Sequence, residues 1–184
     1  MVTQTSRFKC IVTALVLIVG FSMPAGAATL DELFTDLAQA ERNAGARIEK
    51  QIIGIWEKSG SASFDLLLKR GKDALEDGDA DAALDHFSAL VDHAPDFAEA
   101  YHNRATAYYL LGMMGLALDD LRQTLAMNPR HFAAMRGFAI IMENLDRKAD
   151  ALEVYEAVLA LHPTSADVQE AADRLKLELE GQAL

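Results

Sequence analysis

The residues best able to ligate a metal or move a proton near neutral pH are five histidines: His86, His93, His102, His131 and His162. Their spacing argues against a shared metal. His86 and His93 lie seven apart, not the four that sets two imidazoles on one helical face for zinc. His93 and His162 stand just before Pro95 and Pro163, where a histidine suits the negative end of a helix dipole. His131 is expected to open a helix and His102 to face outward from one. Asp85, His86 and Ser88 are neighbours in sequence but diverge around a helix, as do the carboxylates of Asp119 and Asp120. The sequence contains no HExxH, no glycine-rich phosphate loop and no GxSxG. No catalytic centre, metal site or cofactor is expected. An enzymatic role would need a polar pocket with strongly displaced titration.

What the chain does carry is a period. Pro95, Pro129 and Pro163 are 34 residues apart, as are Ala83, Ala117 and Ala151, and likewise Phe87, Leu121 and Tyr155. Three registers at one period describe a helical unit stacked on itself, because such a unit cannot bury its own apolar face alone. Units counted from Phe64, Ala98 and Phe132 span residues 64–97, 98–131 and 132–165. In the second unit, Tyr101, Ala105, Tyr108 and Leu111 recur at helical steps, and Gly112 ends that helix. Ala117, Leu121 and Leu125 form the stripe of the next helix, which Asn128 and Pro129 close. Gly71, Ala105 and Ala139 are small where the two helices of a unit must cross, and so are Ala83, Ala117 and Ala151 on the second helix. Phe87, Leu121 and Tyr155 are large enough to fill the gap between units. Asp79 and Asp96 stand at N-cap positions, Asp96 with Glu99 in capping-box spacing.

The pattern resembles the tetratricopeptide repeat over about Phe64 to Pro163. Leu67, Tyr101 and Met135 match its early large residue. Arg70 and Arg104 depart from it, where the family prefers leucine. Sixteen residues beyond each stand His86 and Asp120, with Phe138 and Val154 as the third pair. Polarity therefore follows polarity, and Arg104 with Asp120 is expected to form a partly buried ion pair.

Both ends of such a stack need lids. Residues 166–184 read as a C-terminal capping helix with Val168, Ala172, Leu175 and Leu179 as its buried stripe, begun by Thr164 and Asp167 as a capping box and ended by Gly181. Residues 29–63 read as an N-terminal helical cap. It starts at a Thr29–Glu32 capping box, with one stripe of Leu30, Leu33, Phe34 and Leu37, a break at Asn43–Gly45, and a second stripe of Ile48, Ile52, Ile55 and Trp56. One unit back from Gly71 and Ala83 stand Leu37 and Glu49, so this is not a fourth repeat. Its expected place is over the first unit. The other reading docks it on a partner through Trp56. Ser59-Gly60-Ser61 reads as a flexible joint. The expected fold is thus all-α: an α-solenoid of three tetratricopeptide helix-turn-helix repeats between an N-terminal helical cap and a C-terminal capping helix.

Residues 1–28 read as a secretory signal peptide. Arg7 and Lys9 precede an apolar run of 14 residues, Cys10 to Met23, and Ala25-Gly26-Ala27-Ala28 supplies small residues for cleavage. A spanning helix needs about 20 residues, so the run becomes a membrane anchor only if it stays uncleaved. Cys10 is the sole cysteine. Cleavage removes it, so the mature chain has no disulfide or thiolate metal site. Cleavage also moves the net charge from −11 to −13. That surface repels phosphate backbones, so no nucleic-acid partner is expected.

In tetratricopeptide proteins the first helices of successive units line a concave groove. The resemblance implies rows here of Leu68, His102 and Arg136, of Lys72, Thr106 and Ile140, and of Leu75, Tyr109 and Glu143, with Asn103 between them. Members that grip a peptide's terminal carboxylate do so through cations and asparagines. Those slots hold Leu68, Lys72, Asn103, Ala133 and Gly137, of which Asn103 alone fits. The expected function is an exported, periplasmic scaffold that binds a protein or peptide partner in its groove during assembly of an envelope complex, with no small-molecule substrate. Self-association through apolar end faces, around Leu30 to Trp56 or Leu175 to Leu179, is the alternative.

Overall fold

The computed structural model describes residues 28–182, and the expected signal segment up to Ala27 lies outside them. The described residues form helices and no strand: α1 (Leu30–Gln39), α2 (Arg42–Trp56), α3 (Ala62–Glu76), α4 (Ala80–His93), α5 (Ala98–Leu110), α6 (Met114–Met127), α7 (Phe132–Asn144), α8 (Lys148–Leu161) and α9 (Ala166–Gln182). None of these is long and apolar enough to cross a membrane. Helices α3 with α4, α5 with α6 and α7 with α8 pack as antiparallel pairs, and each pair packs on the next. The turns inside the pairs repeat too. Gly78 (φ +79°), Gly112 (φ +74°) and Asp146 (φ 57°) occupy one left-handed position in three successive units, a conformation that costs glycine little and is tolerated by aspartate.

The small-residue slots are where helices touch. Ala83, Ala105, Ala117, Ala139 and Ala151 are buried, and so are Phe87, Leu121 and Tyr155. At Gly71 a side-chain methyl would fall inside the contact distance of the Phe87 ring. Tyr155 fills its gap and turns its hydroxyl to Glu143 at 2.8 Å, and Glu143 in turn accepts from Arg174 on α9 at 2.6 Å. Arg104 pairs with Asp120 through two hydrogen bonds, Nε to Oδ2 at 2.7 Å and Nη2 to Oδ1 at 2.8 Å. Both side chains are largely sheltered. Arg70 behaves otherwise: it is exposed and makes no hydrogen bond to His86.

The ends differ in detail from expectation. The Thr29–Glu32 capping box forms in both directions. Asp79 caps α4 by accepting from Ala82 N at 2.9 Å, but Asp96 caps nothing: the N-cap position of α5 falls one residue later, on Phe97, which has no side-chain cap to offer. Glu99 is buried and turned to other work. The break between α1 and α2 falls at Ala40–Glu41, so Asn43 to Gly45 is helical. Ser59 anchors α3 through Asp65 Oδ1, with its hydroxyl at 2.6 Å and its amide at 2.9 Å, so the expected flexible joint is a hydrogen-bonded turn. On the C-terminal side α9 begins after Ser165, whose hydroxyl meets Asp167 at 2.9 Å, and Thr164 Oγ1 is buried without a partner. The helix runs through Gly181 to Gln182, and Val168, Ala172 and Leu175 are its buried face.

The largest departure concerns α1 and α2. They do not cover the free face of the first unit. They lie across the turns that join the units and reach the third. Asp31 pairs with Arg130 at 2.6 Å, and Arg130 sits over the Phe34 ring at 4.3 Å. Phe34 and Trp56 both pack on Phe132, with centroids 6.3 and 5.0 Å away. Gly45 is pressed against Thr164 and His162, leaving no room for a Cβ. The other end of α2 returns to the first unit, where Glu57 pairs with Lys72. Leu33, Phe34, Leu37, Ile48 and Ile52 are thereby buried in one cluster with Phe132 and Val158.

Two outcomes are expected in thermal or denaturant unfolding. Gly71→Ala loses about 1–3 kcal/mol, because the Phe87 ring must be displaced in a filled core. Asp120→Ala loses about 2 kcal/mol by stranding Arg104, whereas the joint replacement Arg104→Met with Asp120→Leu recovers most of that loss. Equal instability of the single and double variants would contradict the pairing.

Candidate functional site

The first helices of the second and third units, α5 and α7, diverge over a hollow of about 320 Å³. Its floor is made of short side chains: Ala105, Ala133 and Gly137, backed by Leu121 and Ile141. Thr106, Tyr109, Leu110 and Ile140 form the walls, and His102 and Arg136 stand at the rim. The polar members are partly committed. Thr106 donates its hydroxyl to His102 O at 3.2 Å, and Arg136 pairs with Asp167 at 2.7 Å. The Tyr109 hydroxyl accepts from Asn144 at 3.0 Å. What remains is a mainly apolar hollow with a cation at one edge, suited to seat a large apolar side chain.

The candidate groove residues divide into two groups. His102, Thr106, Tyr109, Arg136 and Ile140 come together around the hollow. The others do not reach it. Leu68 is buried and Leu75 packs beside the same first-unit cluster. Lys72 is tied to Glu57. Asn103 donates to Glu99, to its carbonyl at 2.8 Å and its carboxylate at 3.2 Å. Glu143 is held between Tyr155 and Arg174.

Beside the hollow lies a titratable cluster that spacing did not reveal. Glu99, His102 and His131 bring one ligand atom each within 4.8 Å of one another. Glu99 and His102 stand three apart on α5, whereas His131 lies 29 positions beyond His102 at the start of α7, and only the packing of successive units brings it to them. Contrary to expectation, His102 does not face outward: its ring lies 4.6 Å from that of His131, and its Nδ1 is buried without a partner. His131 caps α7 by accepting from Ala134 N at Nδ1, 3.1 Å away. That leaves its proton on Nε2, which meets Glu99 Oε1 at 2.8 Å. Trp56 stacks on the same imidazole at 4.4 Å. A divalent ion fits this set poorly, since His131 would have to give up the proton that its cap assigns to Nε2. Burial would raise the Glu99 carboxyl, but the His131 hydrogen bond and nearby positive charge outweigh that and hold it low. Burial, reinforced by His131, pushes His102 down to about 4, against the opposing pull of Glu99.

The sequence profile of the tetratricopeptide repeat matches residues 68–120 and 114–166. The chain belongs to the tetratricopeptide-repeat family. It is 31% identical over 153 residues to a TPR repeat-containing protein of Rhizobium etli, covering 83% of this chain and 75% of that one. It is 32% identical over 97 residues to the human SGT1 homolog, covering 53% of this chain but 27% of that protein. Among solved structures, the first TPR of Spaghetti (RPAP3) bound to the HSP90 peptide SRMEEVD superposes with a TM-score of 0.60 at 24% identity, over 62% of this chain and 91% of that one. MamA superposes with a TM-score of 0.60 at 19% identity, over 82% of this chain and 84% of that one. In this tetratricopeptide-repeat protein the α1–α2 hairpin reaches from Lys72 to Thr164.

The depressed His102 pKa fixes the sign of a pH effect. In the window from about 6.5 down to about 4 the unfolded chain binds a proton that the folded chain refuses. Stability is therefore full above pH 6.5 and is lost as pH falls toward 4, while Arg136, Lys72 and His131 oppose and Glu99 assists the charge on His102. Equilibrium unfolding against pH should show this slope in the wild type and a flatter one in His102→Gln. An unchanged slope would remove His102 as its source.

Proposed function

We propose that this chain binds a segment of another protein in the hollow between α5 and α7, with an apolar side chain as the anchor. The observation that carries this is the floor of Ala105, Ala133 and Gly137, two methyl groups and a bare backbone position that leave a mainly apolar space of about 320 Å³. Solved tetratricopeptide domains similar in fold hold HSP90 and HSP70 peptides, which favours a peptide as occupant. The mode differs from a grip on a terminal carboxylate. Ala133 and Gly137 supply no cation, and Lys72 and Asn103 are engaged with Glu57 and Glu99. The reading is of a binding module, not an enzyme: His131 and Glu99 are spent on each other and on a helix cap.

The Arg7–Lys9 charge, the apolar run after it and the small residues at Ala25 to Ala28 support export to a periplasm, with a role in assembling an envelope complex. Self-association through the end faces is less well supported, because Leu33, Phe34, Leu37, Ile48, Ile52 and Leu175 are buried within the chain itself.

Gly137→Ala tests the hollow without endangering the fold. The new methyl would meet Leu121 at 3.6 Å, an ordinary contact, and alanine in a helix interior gains about 0.5–1 kcal/mol over glycine. Gly137→Ala should therefore unfold at higher temperature, while Gly137→Leu should abolish adducts formed by a photocrosslinker placed at Ile140 in the intact cell envelope. A crosslinker at the exposed Asp85 serves as the control. Adducts at Ile140 that persist in Gly137→Leu would overturn the hollow as the site.

A further inference from the structure

The three turns inside the units carry very different chemistry. Residues 76–82 read Glu-Asp-Gly-Asp-Ala-Asp-Ala, and residues 144–150 read Asn-Leu-Asp-Arg-Lys-Ala-Asp. Between them, residues 110–116 read Leu-Leu-Gly-Met-Met-Gly-Leu, with no charge at all. Leu110 is 58% exposed, Met113 45% and Leu116 49%. Leu145, on the neighbouring turn, is 48% exposed, and the Asn144–Tyr109 hydrogen bond at 3.0 Å brings that turn alongside. Three large apolar side chains within seven residues of one turn make a patch rather than scattered exposure.

The patch also breaks a local rule. Asp79 caps α4 with its carboxylate. One unit on, the same slot holds Met113, and two units on it holds Arg147, and neither α6 nor α8 has a side-chain cap. A methionine there forgoes a stabilising hydrogen bond and exposes apolar surface, where the third unit exposes the charge of Arg147.

We propose that the turn from Leu110 to Leu116 is a second contact surface for a protein partner, one that presents an apolar segment flanked by lysine or arginine. Charge selects this occupant. The adjoining turn of the first unit exposes Glu76, Asp77, Asp79 and Asp81 without ion-pair partners among the described residues, while on the other side the charges offset one another: Arg147 pairs with Asp150, Lys148 with Asp146 and Glu178, and Asp119 with Arg122. That frame attracts a basic flank and repels the anionic surface of a bilayer. It also sets acid against acid if two copies meet through this face. Leu110 borders the hollow as well, so the patch continues the groove. The inference rests on the reading of the chain as a protein-binding module but uses different residues.

The test uses a fluorescent helical peptide of leucine and lysine, and the same peptide with glutamate for lysine, titrated into the protein from residue 29 onward with its C-terminus intact. The wild type should bind the lysine peptide and not the glutamate one. Met113→Asp should weaken binding at least about tenfold while raising the melting temperature, because it restores the missing cap. A melting temperature that rises with binding unchanged would overturn the inference. So would sedimentation of the protein with vesicles of phosphatidylcholine and phosphatidylglycerol that Met113→Asp abolishes, or a wild-type dimer that the same substitution dissociates. Gly137→Leu separates the two surfaces. Loss of peptide binding in Gly137→Leu with full binding in Met113→Asp would leave the hollow standing and remove the turn.

Discussion

Everything in this fold hangs from the close crossing of two helices within each unit. At Gly71 the backbone of α3 comes so near the Phe87 ring that no side chain fits between them. The same crossing is made by Ala105 and Ala139 in the next two units, with Leu121 and Tyr155 in the place of the ring. A small residue on one helix and a large one on the other let the pair interdigitate at interior packing density. Because the crossing recurs every 34 residues, each pair offers the next the same surface, and the stack extends without a new solution at each step. The groove is a by-product: helices that cross closely on one side diverge on the other, and where the floor is Ala105, Ala133 and Gly137 the divergence becomes a hollow.

The N-terminal hairpin solves a different problem. Its apolar face is too large to leave in water, and it is buried across the inter-unit turns, where Phe34, Trp56 and Phe132 meet. That arrangement explains the buried polar chain beneath it. His131 must cap α7 through Nδ1, which aims Nε2 inward, and Glu99 supplies the acceptor. Within this cluster the His131–Glu99 pair is satisfied, whereas His102 Nδ1 and Trp56 Nε1 beside it are buried without a partner. The same arrangement makes the hairpin a strap between Lys72 in the first unit and Thr164 beyond the third, so the curvature of the stack is held from outside as well as by its own packing.

Two regions depart from what stability alone would choose. One is the hollow, whose short floor residues leave space that larger side chains would fill. The other is the turn of the second unit, uncharged and uncapped where its neighbours are charged. Both lie on the second unit or its border with the third, and Leu110 belongs to both. The two proposed contacts rest on these local penalties, which are gathered in one place.

The repeat was legible in the residues because its cause is periodic. Prolines, small residues and large fillers recur at a fixed step, since each must meet an identical neighbour, and the Arg104–Asp120 pair could be placed by the same offset that relates Phe138 to Val154. Half of the candidate groove followed for the same reason: His102, Thr106, Tyr109, Arg136 and Ile140 stand at equal steps on parallel helices. The rest depended on aperiodic contacts. Where α1 and α2 come to lie, and how His131 meets Glu99 and His102, are settled by packing between separate elements, and no spacing encodes such a meeting. A period dictates whatever each unit does to the next. The docking of a unique segment is decided only when the whole surface exists for it to find.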